Sequence, residues 1–176
     1  MTAMTLVTDV GGRIYRTCAQ KNPVTCGPAA CLIMWANANG ADPLADEGGV
    51  IELSKRFPEP WTPQAGANIN NLSRVMAQMG MPNAVQRYPG DMAGFKGALA
   101  KHVGERKPVL AFLAWDGTSA LTGHFVVIGR ANPTTGQITV LDPLFGMQEL
   151  YGNSLPYYYP TDSDSLTFSG AIAVLT

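Results

Sequence analysis

The spacing of hydrophobic positions changes part-way along the chain. Between residues 26 and 103 apolar side chains recur at helical spacing, and after Pro108 they come as short unbroken runs separated by Gly, Asn, Pro and Asp. The first of these segments, residues 26–39, places Ala29, Leu32, Ile33 and Ala36 at i, i+3, i+4 and i+7. Ala30, Met34 and Trp35 widen the stripe until little polar surface is left, which predicts a central, buried helix ended by Asn39-Gly40. A short helix is predicted near 49–57. Three prolines between Pro58 and Pro63 then impose a loop. Ile69, Leu72, Val75, Met76 and Met79 predict a further helix stopped by Gly80 and Pro82. Asp91 can cap another over 92–103, with Met92, Phe95, Leu99 and Val103 on one stripe. Ahead of all these, residues 4–16 read as an extended arm that turns at Gly11-Gly12.

The second half predicts strands at Val109–Trp115, Phe125–Ile128, Ile138–Leu141 and Ala171–Leu175, with Asn132-Pro-Thr-Thr-Gly136 a turn between two of them. Helices first and strands second argue an α+β fold with an antiparallel sheet and the helices gathered on one side of it. The length suits one domain, residues 1–176, with a helical half over about 17–105 and a β half over about 106–176. Pro156 to Ser165 reads as a long surface loop rich in tyrosine.

Composition narrows the function. With 46% hydrophobic and 14% charged residues and a net charge of −1, the chain carries no basic footprint for nucleic acid or anionic lipid. No apolar run reaches the roughly 20 residues of a membrane span, and the N-terminus lacks the pattern of a signal peptide. A cytoplasmic protein is expected as encoded. Cys18, Cys26 and Cys31 contain no C-x-x-C pair, and His102 and His124 are the only histidines, so zinc-ligand spacing is missing and no metal or other cofactor is expected. A Cys18–Cys26 disulfide is compatible with the sequence, although a cytosolic chain favours free thiols.

Candidate chemistry centres on Cys26. It stands where a polar loop enters the first helix, and the free N–H groups and positive dipole end of a helix favour a thiolate there. Cys31, inside the helix, reads as core. His124 opens an apolar run in Gly123-His-Phe-Val-Val-Ile128 and supplies a base; Asp142, in Val140-Leu-Asp-Pro143, ends the next strand and can orient the imidazole. An Asp-Pro at a strand end is also an ordinary turn initiator. Gln20, six residues before Cys26, can donate its amide to an oxyanion together with the Cys26 N–H. His102, in the polar stretch Lys101–Lys107, reads as a solvated side chain. Trp61 and Tyr157 to Tyr159 are candidate cleft walls or loop anchors.

Gln20-x₅-Cys26-Gly-Pro-Ala-Ala, then Gly123-His-Phe-Val-Val and Leu141-Asp-Pro-Leu-Phe-Gly146, resembles the papain-like cysteine peptidases. The likeness spans residues 20 to about 150. It is strongest toward the peptidase domains of bacteriocin-processing, double-glycine leader transporters and their free-standing bacterial relatives. The resemblance implies a papain-like fold, Cys26 as nucleophile, His124 as base and acid, Asp142 as orienting carboxylate and Gln20 as oxyanion donor. It implies a peptide or protein substrate. Papain-like effector proteases of pathogens share the residue order, which adds two expectations: export by a specialised bacterial secretion system, and a cognate inhibitor or immunity protein as partner. The same triad serves amidases, deamidases and acyltransferases, and a catalytically inactive binding module is the remaining alternative. Gly11-Gly12 and Gly48-Gly49 resemble double-glycine cleavage sites, but so many glycines yield such pairs by chance.

Overall fold

In a computed structural model, the structure describes residues 2–89, 91–104, 107–115, 123–132, 134–150, 157–158 and 165–176. Strands β1 (Thr5–Thr8) and β2 (Ile14–Thr17) form an antiparallel hairpin. The expected extended arm is therefore paired with itself. Its Gly11-Gly12 turn is held by Asp9, whose carboxylate accepts the N–H groups of Gly11 and Arg13 and the Tyr15 hydroxyl.

Helix α1 (Cys26–Asn39) runs as expected and is buried on nearly every side, because Ala, Cys, Leu, Ile and Met leave no polar face to present to water. Gly40 ends it in the left-handed conformation. The second helix, α2 (Glu47–Ser54), starts two residues before the expected position, capped by Asp46 through the Gly49 N–H. Gly48 and Gly49 thus lie inside its first turn. Helix α3 (Ile69–Gln78) buries Leu72, Val75 and Met76, and its buried Asn71 donates to the carbonyls of Ser54 and Pro58, which pins the proline-rich loop. The fourth helix, α4 (Met92–Gly104), carries the Phe95, Leu99, Val103 stripe.

The main sheet is antiparallel throughout. Its strands are β3 (Asn83–Arg87), β4 (Val109–Trp115), β5 (Gly123–Asn132), β6 (Gln137–Asp142), β7 (Gly146–Leu150), β8 (Tyr157–Tyr158) and β9 (Ser165–Leu175). The order is β3-β9-β4-β5-β6-β7, with β8 also pairing β9. The residues 157–158 expected in a loop are thus a short strand, while Tyr159 and the side chains of Tyr157 and Tyr158 lie outside the described residues. β3, in Asn-Ala-Val-Gln-Arg, shows no clear alternation, and pairing with β9 makes it a strand.

The fold is α+β, but the helices do not all lie on one side of the sheet. Alternate residues of β4 and β5 feed two separate cores. Leu110, Phe125 and Val127 pack with α1 and α3, whereas Val109, Ala111, Leu113, Val126 and Ile128 pack with the α4 stripe. The physical reason is in the strands. Runs apolar at every position are buried on both faces, and each face needs a cover. α1 and α4 both pack on β5, which carries His124 between them.

Candidate active site

The first turn of α1 leaves its first donors uncapped. Thr25 occupies the N-cap position, where a hydroxyl usually accepts an N–H from the helix. Here it does not. The Thr25 hydroxyl donates to the Asn22 carbonyl and accepts from the Asn22 N–H, and the helix receives no side-chain cap. Cys26, the first residue of α1, therefore begins a turn in which Pro28 has no N–H, the Ala29 N–H goes back to the Thr25 carbonyl, and the Cys26 and Gly27 N–H groups receive no side-chain cap. Gly27 allows this end to sit deep: a Cβ there would meet Ala67 and Leu72. Trp61 packs on the same approach, donating from its indole to the Val24 carbonyl at 2.8 Å.

From the sheet, β5 and β6 deliver an imidazole and a carboxylate. His124 is the second residue of β5 rather than a residue ahead of it, and Asp142 is the last residue of β6. His124 Nε2 and Asp142 Oδ1 are 2.8 Å apart, with both side chains buried. The same Oδ1 accepts the Leu144 N–H at 2.7 Å and the Phe145 N–H at 3.2 Å, so Asp142 shapes the turn that follows it while it holds the ring. Turn initiator and imidazole partner are one residue. Cys26 is near enough to His124 to act on its ionisation through a hydrogen bond and charge. With Nε2 committed to Asp142, Nδ1 is the nitrogen left to exchange a proton with the thiol.

Burial alone lowers the pKa of His124, yet the hydrogen bonds and charges of Asp142 and Cys26 outweigh it and raise it to about 9. The imidazolium form is the stable one at neutral pH. Cys18 and Cys31 lie where the neutral thiol is favoured. Burial pushes Cys31 up to about 12, and burial with the nearby Glu47 charge pushes Cys18 to about 12. All three cysteines are free, so the Cys18–Cys26 disulfide is not formed.

Gln20 joins the group through its backbone. Its N–H donates to the Pro143 carbonyl at 2.7 Å, one residue beyond Asp142. Its side-chain amide donates to the Asn22 carbonyl at 2.8 Å, the acceptor that also takes the Thr25 N–H and hydroxyl. The amide is thus tied to the carbonyl that Thr25, the residue before Cys26, also uses, and it has a second N–H beyond the one spent on Asn22. His102 belongs to none of this. It lies half-buried in the last turn of α4 rather than solvated, and its carbonyl accepts the Lys107 N–H. Among the described residues no cluster of three or more His, Cys, Asp or Glu is arranged to hold a metal ion. Among them, too, no helix is long and apolar enough to cross a membrane.

One buried group near Gln20 carries no signal in the sequence. Glu47, in the first turn of α2, is 2% exposed and accepts the Lys21 N–H with both oxygens, at 3.0 and 3.2 Å. An acidic residue in a first turn is commonplace and reads as a dipole partner.

Sequence comparison finds neither a family model nor a curated protein that matches the chain. Comparison of the fold does find relatives. The peptidase domain of Streptococcus ComA, a bifunctional ABC transporter of a quorum-sensing pathway, superposes with a TM-score of 0.62 at 15% identity, covering 92% of this chain and 98% of that one. A double-glycine-motif protease from an AMS/PCAT transporter, solved with its leader peptide, superposes with a TM-score of 0.57 at 17% identity, covering 91% of each chain. The chain shares the fold of these peptidase domains. Almost the whole length of each neighbour is represented.

Proposed function

We propose that this protein is a cysteine peptidase-like hydrolase in which Cys26, His124 and Asp142 form the catalytic triad and Gln20 contributes to an oxyanion site. The observation that carries the reading is an uncapped α1 N-terminus bearing Cys26 against an imidazole that a buried carboxylate holds from behind. With the proton already resting on the His124 imidazolium, Cys26 Sγ attacks the substrate carbonyl carbon. The oxygen, now negative, is met by the Cys26 N–H and the free N–H of the Gln20 amide. His124 returns the proton to the leaving amine, and water then attacks the thioester with His124 as base, restoring the thiol.

The substrate class is a peptide with small residues at the scissile bond. Cys26 is 7% exposed and His124 4%, so a carbonyl flanked by bulky side chains cannot be brought to the sulfur without moving the walls. Double-glycine sequences meet this requirement, and one fold neighbour is a double-glycine-motif protease solved in complex with the leader peptide. The protein's own pairs are poor substrates in place, since Gly48-Gly49 is helical and Gly11-Gly12 forms a hairpin turn.

Alkylation with iodoacetamide from pH 4 to 9, read by peptide mass spectrometry, tests the site without knowledge of the substrate. Cys26 is expected to react alone below pH 7, with Cys18 and Cys31 silent, and His124→Ala to remove that reactivity. With a Gly-Gly peptide amide, Cys26→Ala abolishes turnover. Equal labelling of the three thiols, or full turnover in Cys26→Ala, overturns the proposal.

A further inference from the structure

We propose that Glu47 is a positioning residue for the oxyanion side of the site, acting through the loop that carries Gln20; the inference rests on the role assigned to Gln20 above. The loop between β2 and α1 is held by two consecutive backbone donors. The Gln20 N–H goes to Pro143, in the turn built by Asp142, and the Lys21 N–H goes to the Glu47 carboxylate. One grip comes from the sheet and the other from α2. Together they fix the two peptide units that flank the Gln20 Cα, and the side chain departing from it is tied in turn to the Asn22 carbonyl beside the start of α1. Without the Lys21 grip the pair can rotate about the Pro143 bond, and the amide loses its aim.

The alternative holds on Lys21 are weak. Its ammonium lies 4.0 Å from Asp46 with both side chains well exposed, a contact that constrains little. Glu47, in contrast, is nearly inaccessible, and a carboxylate buried against one backbone N–H is an expensive way to fasten a loop. An expense of that kind is characteristic of places where geometry decides function. A displacement of about 1 Å in a catalytic group lowers rates by about 10²-fold, so a distant grip on the loop has a large effect on turnover.

The test separates activation of the thiol from stabilisation of the oxyanion. Iodoacetamide reacts with Cys26 by displacement at carbon and generates no oxyanion. With p-nitrophenyl acetate, the sulfur attacks an ester carbonyl, passes through an oxyanion, and expels p-nitrophenolate. Both second-order rate constants are measured on Cys26 in wild type, Glu47→Met, Glu47→Gln and Gln20→Ala, and in Glu47→Met combined with Gln20→Ala. Glu47→Met, which keeps the volume, is expected to slow acylation by about 10- to 100-fold and to leave alkylation within about twofold. Glu47→Gln, which keeps an acceptor for the Lys21 N–H, restores acylation. In the Gln20→Ala background Glu47→Met adds nothing further.

Equal slowing of both reactions, or a full additional loss in the Gln20→Ala background, overturns the proposal. A Lys21 amide that exchanges with solvent as fast as an open-loop amide in the wild-type protein also overturns it, whether or not Glu47→Met folds. Failure of the triad itself looks different: wild-type Cys26 then reacts with neither reagent faster than an ordinary thiol.

Discussion

Two turns at opposite ends of β6 are written in the same way and put to different uses. Asn132-Pro-Thr-Thr-Gly136 joins β5 to β6, and Asp142-Pro-Leu-Phe-Gly146 joins β6 to β7. In each, the first residue's Oδ1 accepts the N–H groups two and three positions on, and the fifth residue is a glycine at positive φ, +67° for Gly136 and +74° for Gly146. They cap their turns alike, although Asn132 pairs with Gln137 while Asp142 pairs with Gly146, so the β5–β6 loop is one residue longer. The difference lies in the first residue. Asn132 is half-buried beside exposed threonines, whereas Asp142 is fully buried and its Oδ1 takes His124 Nε2 as a third donor. A neutral amide is enough to build the turn, so the carboxylate at 142 serves the imidazole. The imidazole's partner thus sits on a turn that the sheet uses anyway.

Removing both first residues breaks the comparison most sharply. Asp142→Ala deletes a turn and strands a buried imidazole, and we expect a loss of about 3–5 kcal/mol in stability together with a fall in peptide turnover on the order of 10⁴. Asn132→Ala deletes only the turn bonds, which is worth about 1 kcal/mol, and turnover stays at the wild-type level. Urea denaturation and hydrolysis of a Gly-Gly peptide amide measure both. Matching losses of activity in the two variants would show that the second turn acts on catalysis merely by holding the sheet.

The next largest effect comes from making the first turn a copy of the other. Asp142→Asn keeps an acceptor for the Leu144 and Phe145 N–H groups but withdraws the charge from His124, and a loss of about 1.5–3 kcal/mol at neutral pH is expected. Its signature is the dependence on pH. In the wild type His124 has a folded-state pKa of about 9 against an ordinary value of 6.5, so the folded state holds the proton more tightly than the unfolded chain. The resulting stability is fully present below pH 6.5 and is lost as pH rises through 9. Asp142→Asn removes a principal cause of the raised value, and the slope between pH 6.5 and 9 flattens. An unchanged slope would assign the effect to Cys26 rather than to the carboxylate.

This comparison also explains what was legible in the sequence. Cys26 and α1 were readable because an uninterrupted Ala, Cys, Leu, Ile, Met run admits few other readings, and the polar loop before it marks the helix start. The positions of Cys26, His124 and Asp142 were readable because each stands at or beside an element boundary, whereas Gln20 lies within the loop between β2 and α1. The bond between His124 and Asp142 was readable only as a possibility of register. Less accessible was the face of the sheet to which each strand residue points: in Val109–Leu113 and Phe125–Ile128 every position is apolar, so alternation vanishes and the place of α4 on the opposite face leaves no trace. β3 was invisible because pairing with β9, far away in sequence, makes it a strand. Glu47 was invisible because burial is a property of what packs over a residue, and nothing in Asp46-Glu47-Gly48 distinguishes an inward carboxylate from an outward one.

The smallest expected effect is the most demanding check. Asn132→Asp turns the β5–β6 turn into the sequence pattern of the β6–β7 turn, Asp-Pro-x-x-Gly. A carboxylate accepts the Thr134 and Thr135 N–H groups as well as an amide does, and at a half-buried site it keeps part of its hydration, so stability should change by no more than about 0.5 kcal/mol. No imidazole is added there, so stability should show no new dependence on pH between 6.5 and 9, and turnover should match the wild type. The residue type at the first position of such a turn then carries no chemistry of its own. It acquires chemistry only at the end of the strand where burial and His124 meet it, and the Asp at 142 is informative for that reason while an Asp at 132 is not. A large gain or loss in Asn132→Asp would mean instead that the two ends of β6 are electrostatically coupled through the sheet, and that the likeness of the turns stops at their caps.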